Sequence, residues 1–170
     1  TSERYMTTID ALLQDSFARH AEKTALRHKE GGAWHGISYG DLHAQCERVS
    51  AGLFHAGFGA GDRAAIIGPS SADWISAYVG VLRLGGIVVP VDKELKSSEL
   101  RHILTDSEAR TVFVAPEQLE SLLEIAADLS PVKKIVLLQT RSDAGGYLSQ
   151  ELALLREVEE ELKLLLEILP

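Results

Sequence analysis

The stretch Arg63–Val91, RAAIIGPSSADWISAYVGVLRLGGIVVPV, has the pattern of a strand, a helix and a second strand. RAAII and IVVPV are short apolar runs typical of buried strands, and Pro90 predicts that the second one bends or ends there. The segment Ser70–Leu84 between them has the apolar spacing of a helix. Four of its side chains are predicted to face inward, namely Trp74, Ile75, Tyr78 and Leu82. Such a unit favours two parallel strands.

Upstream of this unit the sequence predicts two helices and a hairpin. The first helix covers about Thr8–Glu22, where apolar residues recur at helical spacing. Alternating residues around Gly31-Gly32 predict a β-hairpin. Ser38, followed by Asp41 three residues later, has the spacing of a capping box and begins the second helix, which ends at Gly57.

Downstream, Ser97 or Ser98 is expected to cap a further helix. TVFVA then predicts a strand, PEQLESLLEIAADL a helix with proline at its start, and KIVLL a last strand. Short apolar strands that alternate with helices of ten to fifteen residues indicate an α/β fold with a largely parallel sheet flanked by helices.

The glycines of HAGFGAGDRAAII (55–67) suggest a nucleotide-binding loop at first sight. Such loops run from strand to glycine turn to helix, so that helix amides point at the phosphates. Here Gly57, Gly59 and Gly61 follow a helix and precede a strand, and a helix carboxyl end repels phosphate. We therefore interpret Gly57 as the left-handed residue that ends the helix.

A second candidate site is IIGPSSADW, which does run from strand to turn to helix. Gly68 and the amides of Ser70 and Ser71 suit an anion, but the segment lacks the second glycine and the lysine of a P-loop, and serine is also the ordinary N-cap. Trp74 begins a helix at a sheet edge where ligands bind in open α/β proteins. It is the one candidate substrate-binding residue, with core packing as the alternative.

The remaining reactive residues predict no catalytic, cofactor-binding or metal site. Cys46 lies on the apolar stripe of its helix, which favours packing over a nucleophilic role. His28 and His35 flank the hairpin turn, and two histidines alone rarely hold a metal. The six histidines of the chain show no ligand spacing.

The amino-acid composition argues against some classes of binding partner. The chain has 17 basic and 25 acidic residues, a net charge of −8 and no cluster of Lys and Arg, which argues against a nucleic-acid or anionic-membrane surface. A single cysteine fits a reducing compartment. No apolar run has the length of a signal peptide or of a membrane span, so a cytoplasmic location is expected.

In combination these segments resemble the N-terminal part of the AMP-forming acyl-CoA synthetases, members of the adenylate-forming superfamily. The matching stretches are KTALRHKEGGAWHGISYGDLHAQCERVSAGL, GAGDRAAIIGPSSADWISAYVGVLRLGGIVVPVDKEL and SSELRHILTDSEARTVFV. The resemblance extends from about Thr8 to Leu138, and it is most specific in Leu82–Leu95. The tryptophan-containing hairpin and SSELRHILTDSEA are most similar to the fatty-acyl branch.

The resemblance implies a two-step reaction in the full enzyme, with ATP, Mg²⁺ and coenzyme A. A carboxylic acid attacks the α-phosphate of ATP to give an acyl-adenylate, and a thiol then takes the acyl group. The family's phosphate loop, which ends in lysine, is expected after KIVLL, where QTRSDAGGYL has no such lysine. Ser70 also replaces the family's asparagine. No catalytic residue is therefore assigned, and the 170-residue chain is expected to be inactive alone.

The sequence predicts three regions: an α/β subdomain over 1–138, a loop over 139–147 and an amphipathic helix over 148–170. The last twenty residues hold eight leucines and six glutamates. Three roles are open for this predicted helix: it completes the core of the domain, it contacts the rest of a synthetase, or it pairs with a copy of itself. In the last case the chain is an association module. The expected contact residues are Leu152, Leu155, Leu162 and Leu166. A small-ligand-binding domain that uses the sheet edge at Gly68–Trp74 is a third interpretation.

Overall fold

A computed structural model describes residues 8–138 of the 170, and these divide into two compact units. The first contains residues 8–62 and Ser70–Ile87, and the second contains Arg63–Pro69 and residues 88–138. The predicted loop at 139–147 and the predicted helix at 148–170 lie outside the described residues, so the three-region division remains a prediction.

The first unit consists of three helices and a hairpin. Its elements are α1 (Ile9–His20), β1 (Thr24–Glu30), β2 (Ala33–Ser38), α2 (Tyr39–His55) and α3 (Ala72–Arg83). Its core gathers Phe17, Leu42, Cys46 and Val79, one or more from each helix. Leu26 and Ile37, opposite each other on the two strands, pack against this core and anchor the base of the hairpin.

The first two helices of this unit begin at side-chain caps, of which the sequence predicted the one at Ser38. Thr8 caps α1 by accepting a hydrogen bond from the Ala11 amide at 3.1 Å. Ser38 caps α2, because its hydroxyl accepts from the Asp41 amide at 3.0 Å and lies 2.7 Å from the Asp41 carboxylate. These oxygens satisfy amides that have no partner within the helix.

The second unit is a sheet with its own helices. It contains β3 (Arg63–Ile67), β4 (Ile87–Val91, of which Ile87 belongs to the first unit), α4 (Ser97–Asp106), β5 (Thr111–Val114), α5 (Pro116–Leu123), a 3₁₀ turn (Ala126–Asp128) and β6 (Lys134–Leu137). The strand order is β4-β3-β5-β6, and both the β3–β5 and the β5–β6 pairs are parallel. The predicted α/β fold with a parallel sheet flanked by helices is confirmed.

Alternate residues of β3 and β5 point to one face of this sheet and form a core with the helices. From the strands come Ala65, Ile67, Val112 and Val114, and from the helices Leu100, Leu104 and Leu122. Leu104 and Leu122 have no exposed surface. Because parallel strands need cover on their faces, the near-continuous apolar runs of β3 and β5 are expected.

Three local predictions were wrong. In α3 the buried residues are Ser76, Ala77, Val79, Gly80 and Val81, whereas Trp74, Ile75, Tyr78 and Leu82 are only half-buried. Of these four, Ile75 does pack against the core of the first unit, as predicted. The buried residues are mostly small, because α3 approaches α2 closely: a Cβ on Gly80 would lie 2.7 Å from Cγ1 of Val49. Counting only large apolar side chains therefore misplaced most of the inner face.

The other two errors concern the β4–α4 region. β4 is an edge strand and not a buried one, since Ile87 and Pro90 are exposed and only Val91 is buried. Proline suits an edge because it cannot donate to a neighbouring strand. The N-cap of α4 is Lys96, whose amide donates to the Glu99 carboxylate at 3.0 Å, while the Ser97 hydroxyl donates to Glu124 at 2.7 Å.

Candidate functional site

The glycine-rich stretch of 55–67 has a structural role. Gly57 has φ +79°, its amide donates to Phe54 O, and the Phe58 amide donates to Leu53 O at 2.9 Å. This pair of bonds is a Schellman motif, and it satisfies the last carbonyls of α2. Gly61, with φ +82°, donates to Gly85 O. These glycines therefore end a helix and turn the chain, as the sequence predicted.

The segment after β3 also serves the fold in each unit. In the second unit, a Cβ on Gly68 would lie 2.7 Å from the Cβ of Ala115, so the glycine permits close approach of the chain to the end of β5. In the first unit, Ser71 caps α3, because its hydroxyl accepts from the Trp74 amide at 3.1 Å. The capping interpretation of the serines is confirmed for Ser71.

Trp74, the candidate substrate-binding residue, lies in the first turn of α3. Its ring stacks on that of Tyr78, with centroids 5.4 Å apart and an interplanar angle of 19°. Residues four apart lie on one face of a helix, so the pair forms a half-buried aromatic surface on α3. This surface suits an apolar or planar ligand. Its role in binding stays a prediction.

Cys46 is fully buried in the core between α2 and its neighbours, as predicted. Burial raises the pKa of its thiol from an ordinary 9.0 to about 11, although the nearby Ser76 hydroxyl and the Arg83 charge act in the opposite direction. A buried thiol that stays protonated at neutral pH is a poor nucleophile. Cys46 therefore acts as a packing residue of the core and not as a nucleophile.

Sequence reasoning missed a charged cluster on α2 and α3. The Glu47 carboxylate pairs with the Arg83 guanidinium and lies 3.2 Å from Nε2 of His43. The His43 ring in turn stacks on Phe17, with centroids 4.8 Å apart. Because these contacts join α1, α2 and α3, the cluster orients the three helices relative to one another. Only pairing across two helices, which sequence spacing does not reveal, brings Arg83 to Glu47.

The described residues carry no metal site and no P-loop. Among residues 8–138, no group of three or more His, Cys, Asp or Glu side chains is placed to hold a metal ion. His28 and His35, which flank the hairpin turn, face each other across the hairpin with ring centroids 5.5 Å apart, and both are exposed. Within this range none of the helices combines the length and hydropathy that a bilayer crossing requires.

The parallel β3-β5-β6 sheet and its covering helices belong to a known family of enzymes. Residues 13–163 match the model of the AMP-binding enzyme family. The chain belongs to that family. The predicted resemblance to the adenylate-forming superfamily is thereby confirmed at the level of the family.

Individual relatives of this AMP-binding family chain have varied names. It is 32% identical over 117 residues to "Chalcone synthase cfoA" of Aspergillus candidus, which covers 69% of this chain and 4% of that protein. It is 28% identical over 130 residues to the long-chain-fatty-acid–CoA ligase ACSBG2 of Xenopus laevis, covering 76% and 18%. The chain thus spans less than a fifth of the length of these curated relatives.

Solved structures agree with the fold. The anthranilate CoA ligase AuaEII, in complex with anthranoyl-AMP, superposes with a TM-score of 0.71 at 27% identity. The alignment covers 82% of this chain and 25% of that one. Most of the described residues therefore have counterparts in one quarter of a CoA ligase.

Proposed function

We propose that this AMP-binding family chain supplies the supporting N-terminal scaffold of an AMP-forming acid–CoA ligase that uses fatty acids. The observation that carries the proposal is the family match over residues 13–163 together with the parallel sheet and buried core of the second unit. The fatty-acyl class is supported by the Xenopus laevis relative, whose name states it, and by the tryptophan-containing hairpin.

In the proposed reaction a carboxylate oxygen attacks the α-phosphorus of ATP and pyrophosphate leaves, which gives an acyl-adenylate. The sulfur of coenzyme A then attacks the acyl carbon and AMP leaves. Both steps place negative charge on phosphate oxygens, which needs cations and amide donors. The described residues do not fit ATP with Mg²⁺, because Gly57 ends a helix, the turn at Gly68 lacks the second glycine and the lysine of a P-loop, and no group of three or more His, Cys, Asp or Glu among residues 8–138 is placed to hold a metal ion. We therefore assign no chemical step to them.

In this proposal the chain is the framework on which the catalytic site of the complete enzyme is built. A rigid framework matters because a misplacement of about 1 Å in a reacting group costs on the order of 100-fold in rate. A hydrogen bond from the Ser97 hydroxyl to Glu124 and an ion pair between Arg101 and Asp128 fix α4 to the residues that follow α5 in the second unit.

The test is to express the complete reading frame that contains these residues and to measure acid-dependent ATP–pyrophosphate exchange. We expect exchange with palmitate, release of AMP on addition of coenzyme A, and a lower rate with anthranilate. A preference for anthranilate would contradict the fatty-acyl class but not the ligase. No exchange with any acid, from a folded product, would contradict both.

A second proposal concerns the partner. The leucine pattern at Leu152, Leu155, Leu162 and Leu166, in residues outside those described, supports association with another copy or with the rest of a synthetase. Light scattering of the 170-residue chain should give a multiple of the monomer mass. Replacing Leu155 and Leu162 by Glu should give monomers, while Leu154→Glu, off this pattern, should not. A monomeric parent chain would exclude self-association.

A further inference from the structure

The outer half of the β-hairpin is exposed on both faces. The base is anchored by Leu26 and Ile37, but the side chains of Arg27, His28, Lys29 and residues 31–36 are all solvent-exposed. The turn at Gly31 and Gly32 has φ of +56° and +85°, and a Cβ at either glycine would meet nothing within 4 Å. This tip is therefore narrow and accessible.

Strand pairing brings one aromatic and two cationic residues together on one face of this hairpin. Lys29 pairs directly with Trp34, and Arg27 pairs with Gly36. Residues two apart on a strand share a face, as do directly opposite residues. Arg27, Lys29 and Trp34 therefore form one surface, which we call the hairpin face. The opposite face carries the His28–His35 pair and the core-packed Leu26 and Ile37.

The side chains of the hairpin face are not used within the described part of the chain. Trp34 is 68% exposed, the largest exposed fraction among the large apolar side chains of that part. Its ring has no aromatic stacking partner there, and the ion pairs formed among the described side chains do not involve Arg27 or Lys29. An exposed Trp beside two exposed cations is a surface that a partner would stabilise.

The chemistry of this surface selects the partner. Trp places its ring at the boundary between lipid headgroups and acyl chains, and Lys and Arg beside it contact anionic headgroups. Thr24–Ser38 has two cations and one acid, whereas the whole chain has a net charge of −8. A nucleic acid needs an extended basic surface to overcome that charge, which the chain lacks. Docking on a lipid surface, in contrast, needs contact only at the narrow tip of the hairpin.

We propose that the hairpin face, Arg27, Lys29 and Trp34, docks on the surface of an anionic lipid bilayer. The net charge argues against attraction of the chain as a whole, which is why the sequence predicted no such surface. The pairing of strands concentrates the cations at a tip, where anionic lipid headgroups lie within a Debye length of them. This binding needs neither ATP nor a carboxylic acid, so it does not depend on the proposed ligase function.

Co-sedimentation with vesicles tests the proposal. The 170-residue chain should sediment with mixed phosphatidylcholine–phosphatidylglycerol vesicles, bind phosphatidylcholine vesicles weakly or not at all, and be released by high salt. Each cation near such a surface contributes about fivefold in partitioning, so Arg27→Gln with Lys29→Gln should lower the partition coefficient about 25-fold. Trp34→Ser should lower it several-fold.

Matched controls exist elsewhere in the first unit. Phe54 is 66% exposed, so Phe54→Ser removes a similar exposed ring, and Arg48→Gln removes an exposed cation from α2. Both should leave partitioning unchanged. If they lower it as much as the hairpin variants do, or if neutral and anionic vesicles bind equally, the proposal is wrong. Absence of vesicle binding, with or without retention on nucleic acid, also overturns it.

Fluorescence gives a second readout that does not depend on sedimentation. The chain has two tryptophans, so Trp74→Phe leaves Trp34 as the single reporter. Its emission should shift to shorter wavelength with anionic vesicles and be quenched by brominated lipid, because the ring enters the headgroup boundary. An unchanged spectrum in vesicle-bound protein would show that another surface makes the contact.

Discussion

The thiol of Cys46 shows how burial alone can decide the chemistry of a residue. Since its pKa is raised to about 11, less than one thiol in a thousand is ionised at pH 7.5. We expect the folded chain to resist iodoacetamide at pH 7.5 and to react at the rate of a free thiol after unfolding in urea. Fast labelling of the folded chain would contradict the packing role of this residue.

The same raised pKa predicts how stability changes with pH. Burial favours the protonated form of the Cys46 side chain. Its contribution to the free energy of unfolding is therefore complete below about pH 9 and is lost as the pH rises through about 11. Cys46→Ala removes this dependence. We therefore expect the stability difference between parent and Cys46→Ala to shrink by roughly 2 kcal/mol between pH 8 and pH 11, as measured by urea unfolding. A constant difference would contradict the prediction.

Gly80 is the residue at which two helices approach most closely in the first unit. An added Cβ would lie 2.7 Å and 2.9 Å from Cγ1 and Cβ of Val49, and the Ser50 hydroxyl donates to Gly80 O at 3.1 Å. We expect Gly80→Ala to destabilise the chain by about 1–2 kcal/mol, because overpacking exceeds the gain in helix propensity. Urea unfolding measures this.

Gly52 provides the matched control, since it also lies within a helix but its added Cβ would meet nothing within 4 Å. Gly52→Ala should stabilise the chain by about 0.5–1 kcal/mol. Val49→Ala should relieve part of the cost of Gly80→Ala when the two are combined, because it removes the contact with Cγ1 but keeps the one with Cβ. Equal effects of the two glycine substitutions would show that α2 and α3 do not pack as described.

At the scale of the elements, the packing of α4 against the sheet contributes to the stability of the second unit. Leu104 is fully buried against β3 and β5, whereas Leu123 at the end of α5 is 41% exposed. Leu104→Ala should cost about 2–5 kcal/mol in the free energy of unfolding, and Leu123→Ala less than about 1 kcal/mol. Thermal unfolding followed by circular dichroism compares the two. Similar losses would place the core elsewhere.

Local elements could be predicted because their signals are local. The strands at RAAII, TVFV and KIVL, the cap at Ser38 and the helix end at Gly57 depend on residues within one turn or one strand. The inner face of α3 could not, because it depends on Val49, some thirty residues away. The cap of α4 was misplaced because Ser97 bonds to Glu124 instead of its own helix.

The candidate surfaces were harder to predict for the same reason. Trp74 was found because it stands at a strand-to-helix junction, a local feature, but its stacking on Tyr78 makes it part of a wider aromatic surface. The hairpin face was not found, since Arg27, Lys29 and Trp34 become neighbours only through the register of β1 and β2. Long-range pairing therefore carries most of the information that the sequence pattern lacks.

At the scale of the whole molecule, the functional groups within residues 8–138 predict that the isolated chain does not catalyse adenylation. The glycines that a phosphate loop would need are occupied in ending α2 and α3, and residues 8–138 offer no metal-binding cluster. Adenylation without these groups lacks the charge stabilisation that supplies most of the catalysis. We expect the pure 170-residue chain, confirmed as folded, to give no palmitate-dependent ATP–pyrophosphate exchange above a heat-denatured sample.

The same preparation should also be silent in calorimetry with ATP, AMP and coenzyme A, since those ligands need the same phosphate contacts. Palmitate is the informative titrant, because a half-buried aromatic surface at Trp74 and Tyr78 suits an apolar chain without any phosphate site. Binding of palmitate that is lost in Trp74→Ala would support the predicted substrate contact. Measurable exchange, in contrast, would mean that these residues hold nucleotide after all, and the scaffold interpretation would be wrong.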